Sequence, residues 1–150
     1  MVRGLNPCLQ VALVVLTLTA CGQTATKPDA PAINLGETYR LAAAAYEEQD
    51  WAASEKHYLT LTQHAPEESE PWFKLGNVYA RTARLDAAVR CYREALIRDS
   101  RDAKAWHNMG VTQLRNSGES FRELEMLVDE ADPLHEKSVR IQQTIDELVN

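Results

Sequence analysis

The chain lacks the features that define several large classes of protein. It has only 3 cysteines in 150 residues, too few for a small disulfide-stapled scaffold. It has no run of eighteen apolar residues, which excludes an ordinary transmembrane helix. Its 16 basic residues are outnumbered by 22 acidic ones, and a chain of net charge −6 binds nucleic acid poorly. We therefore expect one modest domain and no nucleic-acid partner.

Motifs for catalysis and metal binding are also missing. There is no glycine-rich phosphate loop, and Gly118-Glu119-Ser120 lacks the strand-turn-helix setting of a nucleophile elbow. No histidine has a partner at usual zinc spacing, and His57 and His64 are interpreted as parts of a solvated helix face. Cys91 is expected in the core, with a reactive thiol as the alternative. We expect no enzyme activity, metal, cofactor or small-molecule substrate; an enzyme or metal carrier is the alternative from another class.

Residues 1–20 are typical of an export signal. Arg3 gives a positive start, and Val11–Leu18 form an apolar stretch of about eight residues, too short to span a bilayer. The tetrapeptide Leu18-Thr19-Ala20-Cys21 follows, and it resembles the lipobox of bacterial lipoproteins. The resemblance implies that the signal peptide is removed and that Cys21 carries covalent diacylglyceryl and N-acyl chains of the palmitate type. An ordinary secretory signal cut at the same place is the alternative.

Lipidation would attach the protein to a membrane surface without a spanning helix. Each buried CH₂ contributes about 0.8 kcal/mol, so two or three acyl chains give a lasting anchor. Gly22 stands where an Asp typically signals inner-membrane retention, so the resemblance implies the outer membrane, facing the periplasm. Residues 21–34, which include Pro28 and Pro31, have no helical or alternating apolar pattern and predict a flexible tether.

The rest of the chain repeats with a period of 34 residues. Trp72 and Trp106 are 34 residues apart, and so are Gly76 and Gly110. The segment from Trp72 reads W-x₂-L-G-x₂-Y, and the matching small and large residues are Leu75, Tyr79, Ala88, Tyr92 and Ala95. This pattern resembles the tetratricopeptide repeat. The resemblance implies an all-α solenoid of helix-turn-helix pairs.

Three repeat units are predicted within residues 35–133, at about 35–68, 69–102 and 103–133. The first has Thr38 at the motif Trp position, and the third has Gln113 at the Tyr position. In the third unit we place a turn at Asn116-Ser117-Gly118. A second helix is expected after that turn, with packing residues Phe121, Val128 and Ala131.

Residues 134–150 are predicted to form a capping helix. Asp132 is a capping residue, and Pro133 follows it at the first helical position. The apolar residues of this helix fall on one face: Leu134, Ile141, Ile145 and Leu148. We expect this face to cover the end of the array, because terminal repeats must hide their apolar surface. A free helix that seeks a partner is the alternative.

Charge is distributed unevenly along the repeats. Residues 35–70 hold eight acidic and two basic residues, whereas residues 71–104 hold four acidic and eight basic residues. Residues 117–150 hold nine acidic and three basic residues. A basic centre between acidic ends is explained either by ion pairs between neighbouring repeats or by an acidic partner held at the centre.

Repeat arrays of this type usually bind extended peptides or helices along the first helix of each repeat. The family's groove positions correspond here to Tyr39, Ala43, Phe73, Lys74, Asn77, Lys104, His107 and Asn108. The set partly resembles the carboxylate clamp of chaperone-binding members, but Tyr39 stands where a clamp Lys is expected and Ala43 where an Asn is expected. Its Lys and Asn side chains suit carbonyls and carboxylates, and its aromatic side chains suit apolar groups of a protein partner.

The resemblances together imply a lipid-anchored, periplasmic scaffold for protein–protein interactions at the outer membrane. Its partners are expected to be proteins of the periplasm or outer membrane. The closest analogy is with lipoproteins that help a pilus or secretion machine to assemble, as pilotins do for secretins. An adaptor for peptidoglycan-modifying enzymes is the alternative.

Overall fold

The computed structural model describes residues 33–149, and this part of the chain is all α-helical. Its helices are α1 Leu35–Glu47, α2 Trp51–His64, α3 Ser69–Arg81, α4 Leu85–Arg98, α5 Ala103–Leu127 and α6 Pro133–Val149. The predicted all-α class is confirmed. The predicted signal peptide (1–20), the lipid acceptor Cys21 and the tether up to residue 32 lie outside the described residues. Between residues 33 and 149 the structure has no helix of the length and apolarity needed to cross a membrane.

The helices pack in chain order as antiparallel neighbours, and α3 also touches α5.

Asparagine and aspartate side chains cap the starts of α1, α2 and α5. Asn34 accepts a hydrogen bond of 3.1 Å from the Glu37 amide, and Asp50 accepts one of 3.0 Å from the Ala53 amide. Asp102 accepts one of 2.9 Å from the Lys104 amide. These caps satisfy amide groups that have no partner inside the helix. They fix where the first helix of the array and two of its later helices begin.

The first two helix pairs turn at equivalent residues. Gln49 and Ala83 have φ angles of 58° and 57°, and they lie 34 residues apart between the helices of each pair. This left-handed conformation ends α1 and α3 and reverses the chain. The equivalent residue of the third unit is Ser117, which lies inside a helix.

The predicted turn at Asn116-Ser117-Gly118 is therefore wrong, because α5 runs without interruption to Leu127. Gly118 is helical and buried, and a Cβ atom on it would lie 2.9 Å from Oε1 of Gln142 on α6. The glycine thus permits a close approach of α6, and the residues after it are mostly strong helix formers. The third helix pair is α5 with α6, and the expected second helix with Phe121, Val128 and Ala131 does not form.

The last helix begins at Pro133 as predicted, and Asp132 Oδ1 accepts a hydrogen bond of 2.8 Å from the Leu134 amide. α6 packs against α5. Its predicted apolar face is only partly covered: Ile145 is 6% exposed, whereas Leu134 is 48% and Leu148 65% exposed. The helix covers the middle of α5 and leaves apolar side chains in solvent near both of its own ends.

The core consists of two clusters that meet along α3 and α4. One is built from α1 to α4 around Leu61, Leu75 and Val78, and the other from α4 and α5 around Tyr92 and Met109. Cys91 belongs to the first cluster, and burial raises the pKa of its thiol to about 11. The expected place of Cys91 in the core is confirmed, and its thiol stays protonated at neutral pH.

Candidate functional site

A cleft of about 250 Å³ lies on the face formed by the first helices of the pairs. It lies between α3 and α5, with the end of α1 beside it and α4 beneath. Its polar lining includes Tyr46, Asn77, Arg81, His107, Asn108 and Arg115. No Asp or Glu side chain is part of the lining. The cleft is therefore rich in hydrogen-bond donors and positive charge.

Asn77 occupies the centre of a short hydrogen-bond network in this cleft. Its Oδ1 atom accepts one hydrogen bond from the Tyr92 hydroxyl (2.9 Å) and one from Asn108 Nδ2 (2.8 Å). Both lone pairs of that oxygen are then used, and among residues 33–149 the Asn77 amide nitrogen has no acceptor. The network fixes the orientation of the amide and leaves two N–H donors for a ligand.

Tyr92 holds this network from below. Burial raises the pKa of Tyr92 to about 12, so its hydroxyl is protonated and donates at neutral pH. The Phe73 ring packs against it with centroids 6.0 Å apart. The Tyr92 ring also fills the space over Gly76, where a Cβ atom would lie 2.6 Å from Tyr92 Cε1. The residues that pack α3 on α4 thus also position Asn77.

Three cationic side chains lie in or beside the cleft. Arg81 and Arg115 line it from α3 and α5, and they are 34 residues apart in the chain. Arg115 donates one hydrogen bond of 3.3 Å to the Val149 carbonyl. Lys74 Nζ lies 5.1 Å from the centroid of the Tyr46 ring, at the edge of the site. The ion pairs of the described residues involve none of these cations.

The predicted groove residues separate into two groups. Asn77, His107 and Asn108 line the cleft, with Lys74 and Phe73 beside and beneath it. Three others are placed elsewhere: the Tyr39 hydroxyl donates to the Glu68 carboxylate, and Lys104 and Ala43 are exposed outside the lining. Burial, followed by that hydrogen bond to Glu68, raises the Tyr39 pKa.

Sequence reasoning missed Tyr46, Arg81 and Arg115. The transferred family positions lie in the first turns and the middle of each first helix, whereas these three residues lie near the end of α1, at the end of α3 and halfway along α5. The 34-residue spacing of Arg81 and Arg115 was a usable signal, since equivalent residues of a repeat point to the same side of the array.

Ion pairing between repeats accounts for only part of the basic centre. Arg84 makes a two-pronged contact with Glu55 of the preceding pair, at 2.8 and 2.5 Å. Arg98 pairs with Glu94 of its own helix at 2.7 Å and stacks over the Trp72 ring. The cleft arginines are left without carboxylate partners among residues 33–149. In that range, no group of three His, Cys, Asp or Glu side chains is arranged to hold a metal ion.

Comparison with known proteins identifies the repeat. Residues 69–102, which contain α3 and α4, match the family model of the tetratricopeptide repeat. Residues 69–102 thus form a tetratricopeptide repeat, and the all-α array around them is consistent with a solenoid of such repeats. This confirms the predicted fold, and the repeat supports a role as a scaffold for protein–protein interactions.

A curated relative matches part of the chain. The general transcriptional corepressor ssn6 of Schizosaccharomyces pombe is 33% identical over 85 residues, which are 55% of this chain and 8% of that protein. The chain thus spans less than a tenth of the relative's length. The transcriptional role in that name belongs to the relative.

Proposed function

We propose that this protein is a periplasmic scaffold, anchored in the outer membrane through lipidated Cys21, that binds an extended segment of a partner protein in the cleft between α3 and α5. The observation that carries the binding proposal is the set of unpartnered donors in the cleft. An extended peptide carries a free carbonyl on every residue, and such carbonyls need donors when they leave water. Asn77, whose oxygen is already engaged by Tyr92 and Asn108, offers its amide group in a fixed orientation.

The anchor proposal is supported by three sequence features that agree with one another. They are the positive start with a short apolar stretch, the lipobox-like tetrapeptide ending in Cys21, and Gly22 after it. The tether of thirteen residues after Cys21, at roughly 3.3 Å each, would allow the repeats to stand up to about 40 Å from the bilayer. A scaffold so placed would meet partners in the periplasm or at the inner face of the outer membrane.

Within that setting we propose an assembly role, in which the protein holds a component of a pilus or secretion machine while that machine is built. The support is an analogy with pilotin-like lipoproteins, which combine a lipid anchor with a small binding domain. A groove that takes an extended segment suits such a role, because incompletely assembled components expose unpaired chain segments.

Replacement of Cys21 by Ser tests the anchor. We expect the variant to lose incorporation of a labelled palmitate analogue and to leave the outer-membrane fraction, because no thiol remains for acylation. Cys8→Ser is the matched control, since Cys8 lies in the predicted signal peptide and should not affect labelling. Unchanged labelling and membrane location of Cys21→Ser would contradict the proposal.

Replacement of Asn77 by Asp tests binding in the cleft. The new carboxylate can still accept from Tyr92 and Asn108, so the fold should persist, but its two donors are lost and a negative charge is added. We expect partner capture, measured by crosslinking in intact envelopes, to fall about tenfold or more. Circular dichroism should show an unchanged helix content. Undiminished capture by a folded variant would remove the cleft from the binding mechanism.

A further inference from the structure

We propose that the cleft selects partner segments in which two acidic residues are separated by one residue, with one carboxylate bound by Arg81 and the other by Arg115. This inference rests on the proposed binding function and specifies the chemistry of the partner. Both arginines are exposed, both line the same cleft, and the lining contains no acidic side chain. An acidic segment would supply the negative charge that is missing from the lining.

The two guanidinium groups have free donors for this purpose. A guanidinium carries five N–H groups and binds a carboxylate best through two of them. Arg81 makes no hydrogen bond or ion pair with residues 33–149, and Arg115 uses one N–H for the Val149 carbonyl. At least four donors on each arginine are therefore available.

The proposed spacing of the two acids combines the positions of α3 and α5 on either side of the cleft with the geometry of an extended chain. The bond of 2.8 Å between Asn77 and Asn108 joins α3 to α5 across the cleft. Neighbouring helix axes lie about 8–10 Å apart, and an extended chain rises about 3.3 Å per residue. Side chains two residues apart in an extended chain point to the same side, about 6.6 Å from each other. Two flexible arginine side chains can reach a pair of carboxylates with that separation.

The first repeat limits the pattern to two acids. Glu47 occupies the position in α1 that is equivalent to Arg81 in α3 and Arg115 in α5. It lines a neighbouring depression together with Arg81 but forms no ion pair with it. A third acid continuing toward α1 would meet the like charge of Glu47, which is unfavourable. Lys74 and Lys104, the lysines predicted in the groove, are not part of the lining, so we assign the selectivity for acidic residues to Arg81 and Arg115.

The test uses the full chain in mild detergent and short fluorescent peptides of Ser and Ala. One peptide carries a central Glu-Ser-Glu, a second carries Gln-Ser-Gln, and a third has the two Glu residues adjacent so that they point to opposite sides. We expect fluorescence anisotropy to show that Glu-Ser-Glu binds at least about tenfold more tightly than either control peptide. Arg81→Gln and Arg115→Gln should each reduce this binding about tenfold, and Lys104→Gln should not change it.

The outcomes separate this inference from the function on which it rests. Equal binding of the three peptides that is lost in Asn77→Asp would overturn the acidic selectivity and leave the binding cleft in place. If Glu-Ser-Glu is still bound selectively after both arginine substitutions, other residues bind its carboxylates. That result would overturn the assignment of carboxylate binding to Arg81 and Arg115. Absence of binding of all three peptides at millimolar concentration would contradict the inference as well, whereas the crosslinking result for Asn77→Asp would stand independently.

Discussion

Gly76→Ala is expected to lower the free energy of unfolding by roughly 1–3 kcal/mol, although alanine is the better helix former. The added Cβ atom would lie 2.6 Å from Cε1 and 2.7 Å from Cδ1 of Tyr92. The Tyr92 ring is almost fully buried and cannot swing into solvent, so α3 and α4 must move apart. That movement should also strain the bond from Tyr92 to Asn77.

Gly110→Ala is the matched control, because Gly110 has the same position in the next repeat. No atom lies within 4 Å of a Cβ placed there, since no side chain of α6 covers Gly110 as Tyr92 of α4 covers Gly76. The variant should gain up to about 1 kcal/mol from helix propensity. Urea denaturation followed by circular dichroism measures both variants. A neutral or stabilising Gly76→Ala would show that the packing of α3 on α4 is not as described.

Leu75→Ala should lower the free energy of unfolding by about 2–5 kcal/mol, because it truncates one of the largest fully buried side chains. Leu75 is 1% exposed and is packed with Leu61, Val78 and Tyr58 in the first core cluster. Removal of its side chain leaves a cavity between two repeats that rigid helices cannot close. Because a solenoid is held together by contacts between neighbouring repeats, this loss weakens the whole array.

Leu41→Ala provides the comparison, since Leu41 takes the same repeat position in α1 and is 37% exposed. We expect a loss of about 1 kcal/mol, because only part of its apolar surface leaves water on folding. The difference between the two variants measures how much a central repeat gains from having neighbours on both sides. Similar losses for the two would mean that α1 is packed as an interior helix.

Prediction from the sequence succeeded where the stabilising contacts join residues of the same 34-residue repeat. The segment from Trp72 to Ala95 predicted two helices, and the structure places Gly76 and Tyr92 in contact as that motif requires. Such contacts join residues within one helix pair, so a local pattern contains the information. The start of α6 was predictable for the same reason, because Asp132 and Pro133 are local capping signals.

Prediction failed where a residue's role depends on a distant helix. Asn116-Ser117-Gly118 has the composition of a turn, but Gly118 faces Gln142 of α6, and sequence periodicity did not reveal this packing. The cleft was found only in part for a related reason. The groove positions of the family predicted Asn77, His107 and Asn108. Arg81 and Arg115, which complete the cleft, are not at those positions, so the family pattern did not predict them.

In the proposed function a partner protein occupies the cleft between α3 and α5. The most direct test is photocrosslinking in intact cell envelopes, with the crosslinking residue placed at His107 in the cleft or at exposed Gln63 on α2. We expect a discrete protein adduct from His107 that is lost in the Asn77→Asp variant and is absent from Gln63. Adducts that form equally at both positions, or that persist in Asn77→Asp, would contradict the claim.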